Sequence, residues 1–388
     1  MVNLVRPIIA WLLLALFATA QEKPNVLFLA VDDLNDWVGC LGGHPQAKTP
    51  HIDRLAASGV LFDNAHCAAP LCHPSRTATL TGLRPSTTGI YGNKAWFREH
   101  PMLKNWVTLP QYFRQHGYRA ETGGKIYHHP KGEWSDPISW DRQYSIKMAT
   151  PFPLPDQRYA HGMREELTNP VLARLIDWSP IEASKEQTAD WQTAEGAAEF
   201  LGQDHDKPFF LACGIYRPHL QWYAPQEFFD LHPLDQVQLP TVKESDIADV
   251  PPVGKQMAAG AFDVIAKHGE WKRAVQGYLA ATSFADACVG RVLEALESSS
   301  YCDNTIVVFW SDHGYQIGQK SRFAKSALWQ QATRVPLVIR LSGHEANGSR
   351  CSRPVSLIDL YPTLLDLCGL PPREDLDGRS IAPLVQDP

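Results

Sequence analysis

The sequence predicts an α/β protein whose central sheet is mostly parallel and is covered by helices on both faces. Two observations predict this class. Short apolar runs alternate with longer segments of helical periodicity, and several of the runs end in polar residues. The chain has 388 residues, of which 44% are hydrophobic and 20% are charged, so it can bury a large core.

Continuous apolar runs predict strands that are buried on both faces. The predicted strands are 23–31, Tyr118–Thr122, Pro208–Ile215, Thr305–Trp310 and Val335–Ile339. In such a sheet the carboxyl ends of parallel strands share one edge, which is where ligands bind. The polar residues that follow these strands are Asp32, Lys125, His219 and Asp312. We expect these four side chains to meet at that edge.

Capping residues mark the predicted helices. Thr49 precedes Pro50, which suits a first helical turn, and Gly59 ends the segment. The other predicted helices are Cys72–Thr81, Val107–His116, Ser184–Phe200, Trp271–Ser298 and a segment through Leu357 and Leu367. The stretches 130–180 and 231–262 lack periodicity, and we predict that they are irregular loops.

Charge and the first residues indicate the class of partner and the compartment. A net charge of −6 argues against a general nucleic-acid binder. Residues 1–20 have the parts of a signal peptide, with Arg6, the apolar run Ile8–Phe17 and small residues at Ala18–Ala20. Because the run is too short to span a bilayer, we expect a secreted or periplasmic protein without a stable membrane anchor. An uncleaved anchor is the alternative.

The eight cysteines are widely spread, and none has the Cys-x-x-Cys spacing of a zinc site. If Cys72 is chemically modified, seven remain, so at least one stays unpaired. An exported chain can form disulfides. Cys351–Cys368 and Cys288–Cys302 are both candidate disulfides, and the sequence does not decide between them.

The stretch Cys72–Gly82, CHPSRTATLTG, organises the candidate site. Pro74 suits a first helical turn and Gly82 a helix end, so a helix N-terminus would face Cys72. Its unsatisfied N–H groups favour a bound oxyanion, onto which Arg76 could fork from one turn further along. The alternative is a buried free cysteine with a surface arginine.

Two pairs of residues predict a cation site. Asp32 and Asp33 are adjacent carboxylates at a strand end, and their repulsion is costly unless a cation binds between them. Asp312 and His313 follow a later strand. Three carboxylates favour Ca²⁺ or Mg²⁺ over zinc. For each pair alone, a capping or turn role is the alternative.

The stretch Cys72–Gly82 resembles the signature of the type I sulfatases, Cys-x-Pro-Ser-Arg followed by Leu-Thr-Gly. The closest resemblance is to the iduronate-2-sulfatase branch. Further segments that carry it are Asn25–Leu34, Gly124–His128, Arg217–His219, Ser311–Gly314 and Ala324–Lys325. The resemblance implies an alkaline-phosphatase-like sandwich with 21–388 as the catalytic domain. Relatives continue into a smaller C-terminal subdomain, which we expect to be missing after Leu384.

The resemblance also implies a role for each site residue. Cys72 would be oxidised to formylglycine by a formylglycine-generating or equivalent maturation enzyme, and the hydrated aldehyde would attack sulfur. The implied ligands of Ca²⁺ are Asp32, Asp33, Asp312, His313 and the oxygen of modified Cys72. The implied catalytic residues are Arg76 for holding the diol, Lys125 and Lys325 for the sulfate, His128 for assisting the diol and His219 for protonating the leaving alcohol.

These expectations combine into a secreted, calcium-dependent sulfatase that acts on a sulfated saccharide. The specific expectation is a 2-O-sulfated uronate, whose carboxylate would bind Lys94, Arg98 or Arg217. Two alternatives stay open. One is a phosphodiesterase or phosphonate-ester hydrolase on the same superfamily scaffold, and the other is an inactive, truncated protein that binds sulfated glycans.

Overall fold

A computed structural model describes residues 23–129, 131–144, 161–243, 245–258 and 261–388. The predicted signal peptide, 1–20, lies outside these ranges, as do parts of the two stretches predicted to be loops. Within the described ranges, no helix combines the length and the apolar character needed to cross a bilayer.

The chain alternates between strands and helices. The strands are β1 (Asn25–Val31), β2 (Val60–His66), β3 (Arg119–Gly124), β4 (Arg142–Gln143), β5 (Trp178–Ile181), β6 (Phe209–Ile215), β7 (Trp222–Pro225), β8 (Thr305–Ser311), β9 (Gln316–Ile317), β10 (Phe323–Ala324), β11 (Arg334–Arg340), β12 (Arg350–Cys351) and β13 (Val355–Ser356). The helices are α1 (Pro50–Ala57), α2 (Cys72–Thr81), α3 (Pro85–Thr88), α4 (Leu109–Gln115), α5 (Pro170–Leu175), α6 (Ala189–Leu201), α7 (Gln226–Asp230), α8 (Pro252–Ala258), α9 (Ala261–Lys267), α10 (Trp271–Glu297), α11 (Gln330–Thr333), α12 (Leu360–Leu367) and α13 (Ala382–Gln386).

In the described part of the chain, the central sheet has nine strands. Their order is β12-β2-β11-β8-β1-β6-β3-β4, and β13 also pairs with β2. Only β11 runs antiparallel to its neighbours, so the sheet is mostly parallel, as the sequence predicts. Val31 at the end of β1 is level with Ile215 of β6 and Ser311 of β8. The residues that follow these strands therefore leave the sheet at one edge.

Helices cover both faces of this sheet. On one face, α2 and α12 pack over a core that contains Phe28, Leu80 and Leu364. On the other face, α1, α6 and α10 pack over a core that contains Leu29 and Phe284. Adjacent β1 residues thus enter opposite cores, as the period of two in a strand requires. Burying each such side chain contributes about 1.5–3 kcal/mol, so the sheet is a rigid base for its edge residues.

The prediction of irregular loops is wrong for parts of 130–180 and 231–262. Among the described residues there, short stretches form β4, α5, β5 and α8, while many of the others lie in turns or have no regular structure. Asn169 caps α5, since its Oδ1 accepts from the amides of Val171 at 3.0 Å and Leu172 at 3.2 Å. A short helix held by a cap needs no long apolar period, so a search for periodicity does not find it.

Two predicted helices are shorter in the structure. The predicted helix at 184–200 divides into a 3₁₀ turn, Lys185–Gln187, and α6. The segment from Leu357 divides in the same way into a 3₁₀ turn, Leu357–Asp359, and α12.

All eight cysteines are free thiols, so neither of the two candidate disulfides is formed.

Candidate active site

The ends of three strands bring charged side chains together at one edge of the sheet. Asp32 follows β1, Lys125 follows β3 and Asp312 follows β8. Lys125 forms an ion pair with Asp32. Arg76 of α2 joins the two acids, because its Nη2 lies 3.2 Å from Asp32 Oδ1 and its Nε lies 2.8 Å from Asp312 Oδ2. All four residues are buried.

Cys72 lies beside this cluster as the first residue of α2. Leu71 before it is extended, and Gly82 ends α2 in the left-handed conformation with φ 71°. Cys72 is 1% exposed. Its Sγ lies 3.1 Å from Lys325 Nζ and 3.3 Å from His313 Nε2. A negatively charged group at position 72 would therefore have the Lys325 ammonium on one side and the His313 ring on the other.

Arg76 is fully buried one turn after Cys72. Besides binding the two acids, its Nη1 donates to the backbone carbonyls of Lys125 and Ile126, the latter at 2.9 Å. The resemblance assigns Arg76 to the modified Cys72. In the structure these donors fix the acids and the end of β3, so Arg76 also has a part in ordering the site.

Four residues could hold a cation. Ligand atoms of Asp32, Asp33, Cys72 and His313 all lie within 4.8 Å of one another, and the four residues are buried. Asp33 has φ 62°, a left-handed conformation that aspartate tolerates better than most residues. Its Oδ1 lies 2.6 Å from Lys325 Nζ and 3.4 Å from His313 Nε2.

Asp312 borders this group and is the acid most engaged by protein donors. Its Oδ1 accepts from the amides of Asp33 at 3.1 Å and His313 at 3.0 Å. Its Oδ2 receives Arg76 and lies 3.5 Å from His313 Nε2. The structure thus places all five residues predicted as metal ligands in one cluster.

The charges in this cluster shift the pKa values of its members. Burial raises the pKa of the Cys72 thiol, but Lys125 and Lys325 outweigh burial and bring that pKa well below its ordinary value. Burial also raises the pKa of Asp32, but Lys125, Arg76 and His219 together outweigh burial and lower that pKa, so the carboxyl stays ionised. The site therefore stabilises negative charge at position 72 and on Asp32, whereas burial raises the pKa of Asp312 to about 6.

The cluster opens into a cavity of about 800 Å³, a volume typical of small-molecule sites. Its polar lining includes Asp33, Cys72, Lys125, His128, His219 and Lys325. Its aliphatic lining includes Leu167, Val171, Leu172, Leu220 and Val264. The cavity therefore offers cations and imidazoles beside apolar surface.

The turn after β6 positions His219. The amides of Tyr216 and Arg217 donate to Asp190 at 2.6 and 3.1 Å, which anchors the start of the turn. Arg217 Nη1 donates to the His219 carbonyl at 3.1 Å. Nδ1 of His219 lies 2.5 Å from the Leu220 carbonyl, so Nδ1 carries a proton and Nε2 is left for a ligand.

Two of the three cations predicted to bind a substrate carboxylate have structural roles instead. Arg217 is fully buried and holds the turn described above. Arg98 binds both oxygens of Asp136, at 2.9 and 2.7 Å, and donates to two backbone carbonyls. The prediction is wrong for these two residues because acceptors within the chain already engage them. Lys94 is exposed beside Asn93, which lines the cavity.

Several residues that line the cavity have no site role in the predictions from the sequence. They include His129, Tyr216 and the side chains of α5. Tyr216 directly follows β6, and Lys125 Nζ lies 4.8 Å from its ring centroid. The expectation that residues after the strand ends line the site therefore holds for Tyr216 as it does for Asp32. The dipeptide Asn169–Pro170 was the available signal for α5.

The chain matches known proteins over most of its length. The Sulfatase family model matches residues 24–370. A protein of Formosa agariphila described as a sulfatase is 39% identical over 378 residues, which cover 94% of this chain and 73% of that protein. Iduronate 2-sulfatase of Mus musculus is 32% identical over 400 residues, which cover 91% of this chain and 70% of that protein.

A solved structure shares the fold. The crystal structure of phosphonate monoester hydrolase of Agrobacterium radiobacter matches with a TM-score of 0.73 and 22% identity, covering 94% of this chain and 77% of that chain. This likeness concerns the fold alone. The family model and the relatives in sequence decide the family. The chain belongs to the sulfatase family, whose enzymes hydrolyse sulfuric esters.

Proposed function

We propose that this chain is an exported, calcium-dependent sulfatase that removes sulfate from a sulfated saccharide by means of formylglycine made from Cys72. One observation carries the proposal. Cys72 is buried at the start of α2 with its Sγ 3.1 Å from Lys325 Nζ and 3.3 Å from His313 Nε2. Export rests on the signal peptide predicted at 1–20.

The acidic cluster fits a hard divalent cation. Asp32, Asp33 and Asp312 offer carboxylate oxygens, and the first two lie in the group whose ligand atoms are within 4.8 Å of one another. An oxygen on modified Cys72 would replace sulfur and make the donor set harder, as Ca²⁺ prefers. When bound, the cation would stabilise negative charge on the substrate. We assign these four residues and His313 as its ligands.

Modified Cys72, as the hydrated aldehyde, would supply one hydroxyl as the nucleophile towards sulfur, and the bond from sulfur to the leaving alcohol would break. The second hydroxyl would then expel the sulfate and restore the aldehyde. Lys125 and Lys325 would bind the sulfate oxygens and offset the charge that develops on them. His128 would accept a proton at position 72, and His219 would give one to the leaving alcohol from Nε2. A formylglycine-generating or equivalent enzyme is the partner that this scheme requires.

We propose a 2-O-sulfated uronate as the specific substrate. The support is the 32% identity with mouse iduronate 2-sulfatase over 91% of this chain. A cavity of about 800 Å³ has room for a sugar ring. Because Arg98 and Arg217 bind acceptors within the chain, Lys94 is the cation that we assign to the substrate carboxylate.

The test is a panel of defined substrates, assayed with purified enzyme in which Cys72 is converted. The panel contains 2-O-sulfated uronates at chain ends, 6-O- and N-sulfated saccharides, and phosphate and phosphonate esters. The Cys72→Ala variant, prepared in the same way, measures contaminating activity. We expect the highest kcat/KM for the 2-O-sulfated uronates.

The other outcomes separate the alternatives. Preferred release of 6-O- or N-sulfate would refute the uronate assignment while leaving the sulfatase assignment intact. Faster hydrolysis of phosphate or phosphonate esters would overturn both. Binding of sulfated glycans without turnover by fully converted enzyme would identify an inactive glycan-binding protein.

A further inference from the structure

Two histidines next to Cys72 each carry a buried nitrogen that lacks a partner. His73 is 1% exposed, and its ring centroid lies 5.7 Å from that of His128. Among the residues that the structure describes, neither Nε2 of His73 nor Nδ1 of His128 has a hydrogen-bond partner. A buried polar atom left unpaired costs about 1–3 kcal/mol, so two neighbouring ones need an explanation.

His73 is a neutral ring with its acceptor nitrogen free. It packs against Trp96 and Trp134, with centroids 5.6 and 5.1 Å away. Burial and the neighbouring His128 lower the pKa of His73 to about 4. A hydrogen bond to the backbone of Ala95 raises this pKa, so the ring donates to the Ala95 carbonyl. Since Nε2 is the unpaired nitrogen, Nδ1 is the donor and Nε2 is an acceptor.

The unpaired Nδ1 of His128 needs a hydrogen-bond acceptor. It lines the cavity, and a hydrogen bond joins it to Cys72. Because Nδ1 is the nitrogen without a partner, Nε2 is the one directed towards position 72. To accept a proton at Nε2, the neutral ring must carry its own proton on Nδ1. An acceptor for Nδ1–H would fix that tautomer, as the third group of a catalytic triad does.

We propose that His73 is a positioning residue for His128. In this arrangement one buried water accepts a hydrogen bond from Nδ1–H of His128 and donates one to Nε2 of His73, which leaves Nε2 of His128 unprotonated towards position 72. The two ring centroids are 5.7 Å apart, and a water is the link because neither nitrogen has a direct partner among the described residues. The inference rests on the proposed function, in which His128 takes a proton from modified Cys72. His73 fills the variable position of Cys-x-Pro-Ser-Arg.

Two substitutions test the acceptor. His73→Phe keeps an aromatic ring without an acceptor, whereas His73→Gln restores a carbonyl acceptor. Rates are divided by the converted fraction of Cys72, because both changes lie in the signature. We expect His73→Phe to lower kcat about 10–100-fold with KM unchanged, and His73→Gln to recover most of the loss.

A double-mutant cycle and a control separate positioning from packing. In a His128→Ala background, His73→Phe should cause no further loss, because its effect passes through His128. The matched control is His205→Phe, which removes another buried unpaired Nδ1 from a ring stacked on Phe200, in the core of the opposite face of the sheet. This control should leave kcat unchanged.

Nitrogen NMR of protein with isotope-labelled histidine gives a readout that needs no turnover. The signals of His128 are assigned by their loss in His128→Ala. We expect the Nδ1-protonated tautomer in the wild type and a shift towards the other tautomer in His73→Phe. Two results would overturn the inference: an Nε2-protonated His128 in the wild type, or losses in the double variant that multiply. Wild-type enzyme that cleaves no sulfate ester would refute the proposed function, while the tautomer would still decide the role of His73.

Discussion

At the scale of single residues, Lys325 makes the contacts most directly tied to the chemistry. Its Nζ lies 2.6 Å from Asp33 Oδ1 and 3.1 Å from Cys72 Sγ. We expect Lys325→Ala to lower kcat/KM about 10²–10³-fold, the usual loss when one preorganised donor to a developing charge is removed. The measurement is sulfate release at equal conversion of Cys72.

A nearby lysine provides the control for this substitution. Lys320 Nζ pairs with Asp246 Oδ1 at 2.7 Å, away from the charged cluster. Lys320→Ala should keep kcat/KM within about twofold, because partly exposed pairs contribute little. Equal losses in the two variants would mean that the order of this loop, rather than the Lys325 charge, controls the rate.

At the scale of elements, one buried acid joins α10 to the start of α1. Asp286 of α10 accepts from the amides of His51 at 3.2 Å and Ile52 at 2.8 Å. These amides are among the donors that a helix start leaves unpaired. Burial outweighs both bonds and raises the pKa of Asp286 to about 7.

This shift predicts how stability depends on pH. Because the unfolded pKa of Asp is about 3.9, the folded state holds the Asp286 proton more tightly. The resulting stabilisation is fully present below about pH 4 and is lost as the pH rises through 7. Relative to Asp286→Asn, the wild type should lose a few kcal/mol of unfolding free energy over this range, at about 1.4 kcal/mol per pKa unit.

Urea unfolding at a series of pH values measures this difference. Asp263→Asn, at an exposed position of α9, should follow the wild-type profile. If the difference between the wild type and Asp286→Asn stays constant from pH 4 to 7, the raised pKa of Asp286 is wrong.

The length of an element decided whether the sequence could predict it. The apolar stripe of α10 runs through many turns, and β1 is a continuous apolar run, so both were predictable. In contrast, β5 is four residues long and pairs with β7 outside the central sheet, so it has no pattern of its own.

In the candidate site, too, the sequence predicted some residues and not others. The rule that strand ends share an edge brought Asp32, Lys125 and Asp312 together from sequence alone. The structural roles of Arg98 and Arg217 were not predictable. Their acceptors, such as Asp136, come within reach only through the tertiary fold.

At the scale of the whole molecule, the candidate cation site ties the sheet to α2. Its acids follow β1 and β8, while Cys72 begins α2. An ion that binds only the folded state adds about 2.7 kcal/mol at 100 times its Kd. We therefore expect chelation to lower the Tm and added Ca²⁺ to restore it. Differential scanning calorimetry of the converted enzyme checks this.

Asp33→Asn should remove the response of the Tm to Ca²⁺, whereas Asp263→Asn should keep it. Metal analysis of the purified enzyme should find calcium. Zinc in its place, or activity that survives exhaustive chelation, would contradict the assignment of the cation.

The central claim is that sulfate-ester hydrolysis depends on formylglycine at position 72. The most direct measurement plots sulfate release from a sulfated saccharide against the converted fraction of Cys72, determined by mass spectrometry of the peptide that contains it. We predict a straight line through the origin across preparations made with and without the maturation enzyme. Full activity at zero conversion, or no activity at full conversion, would contradict the claim.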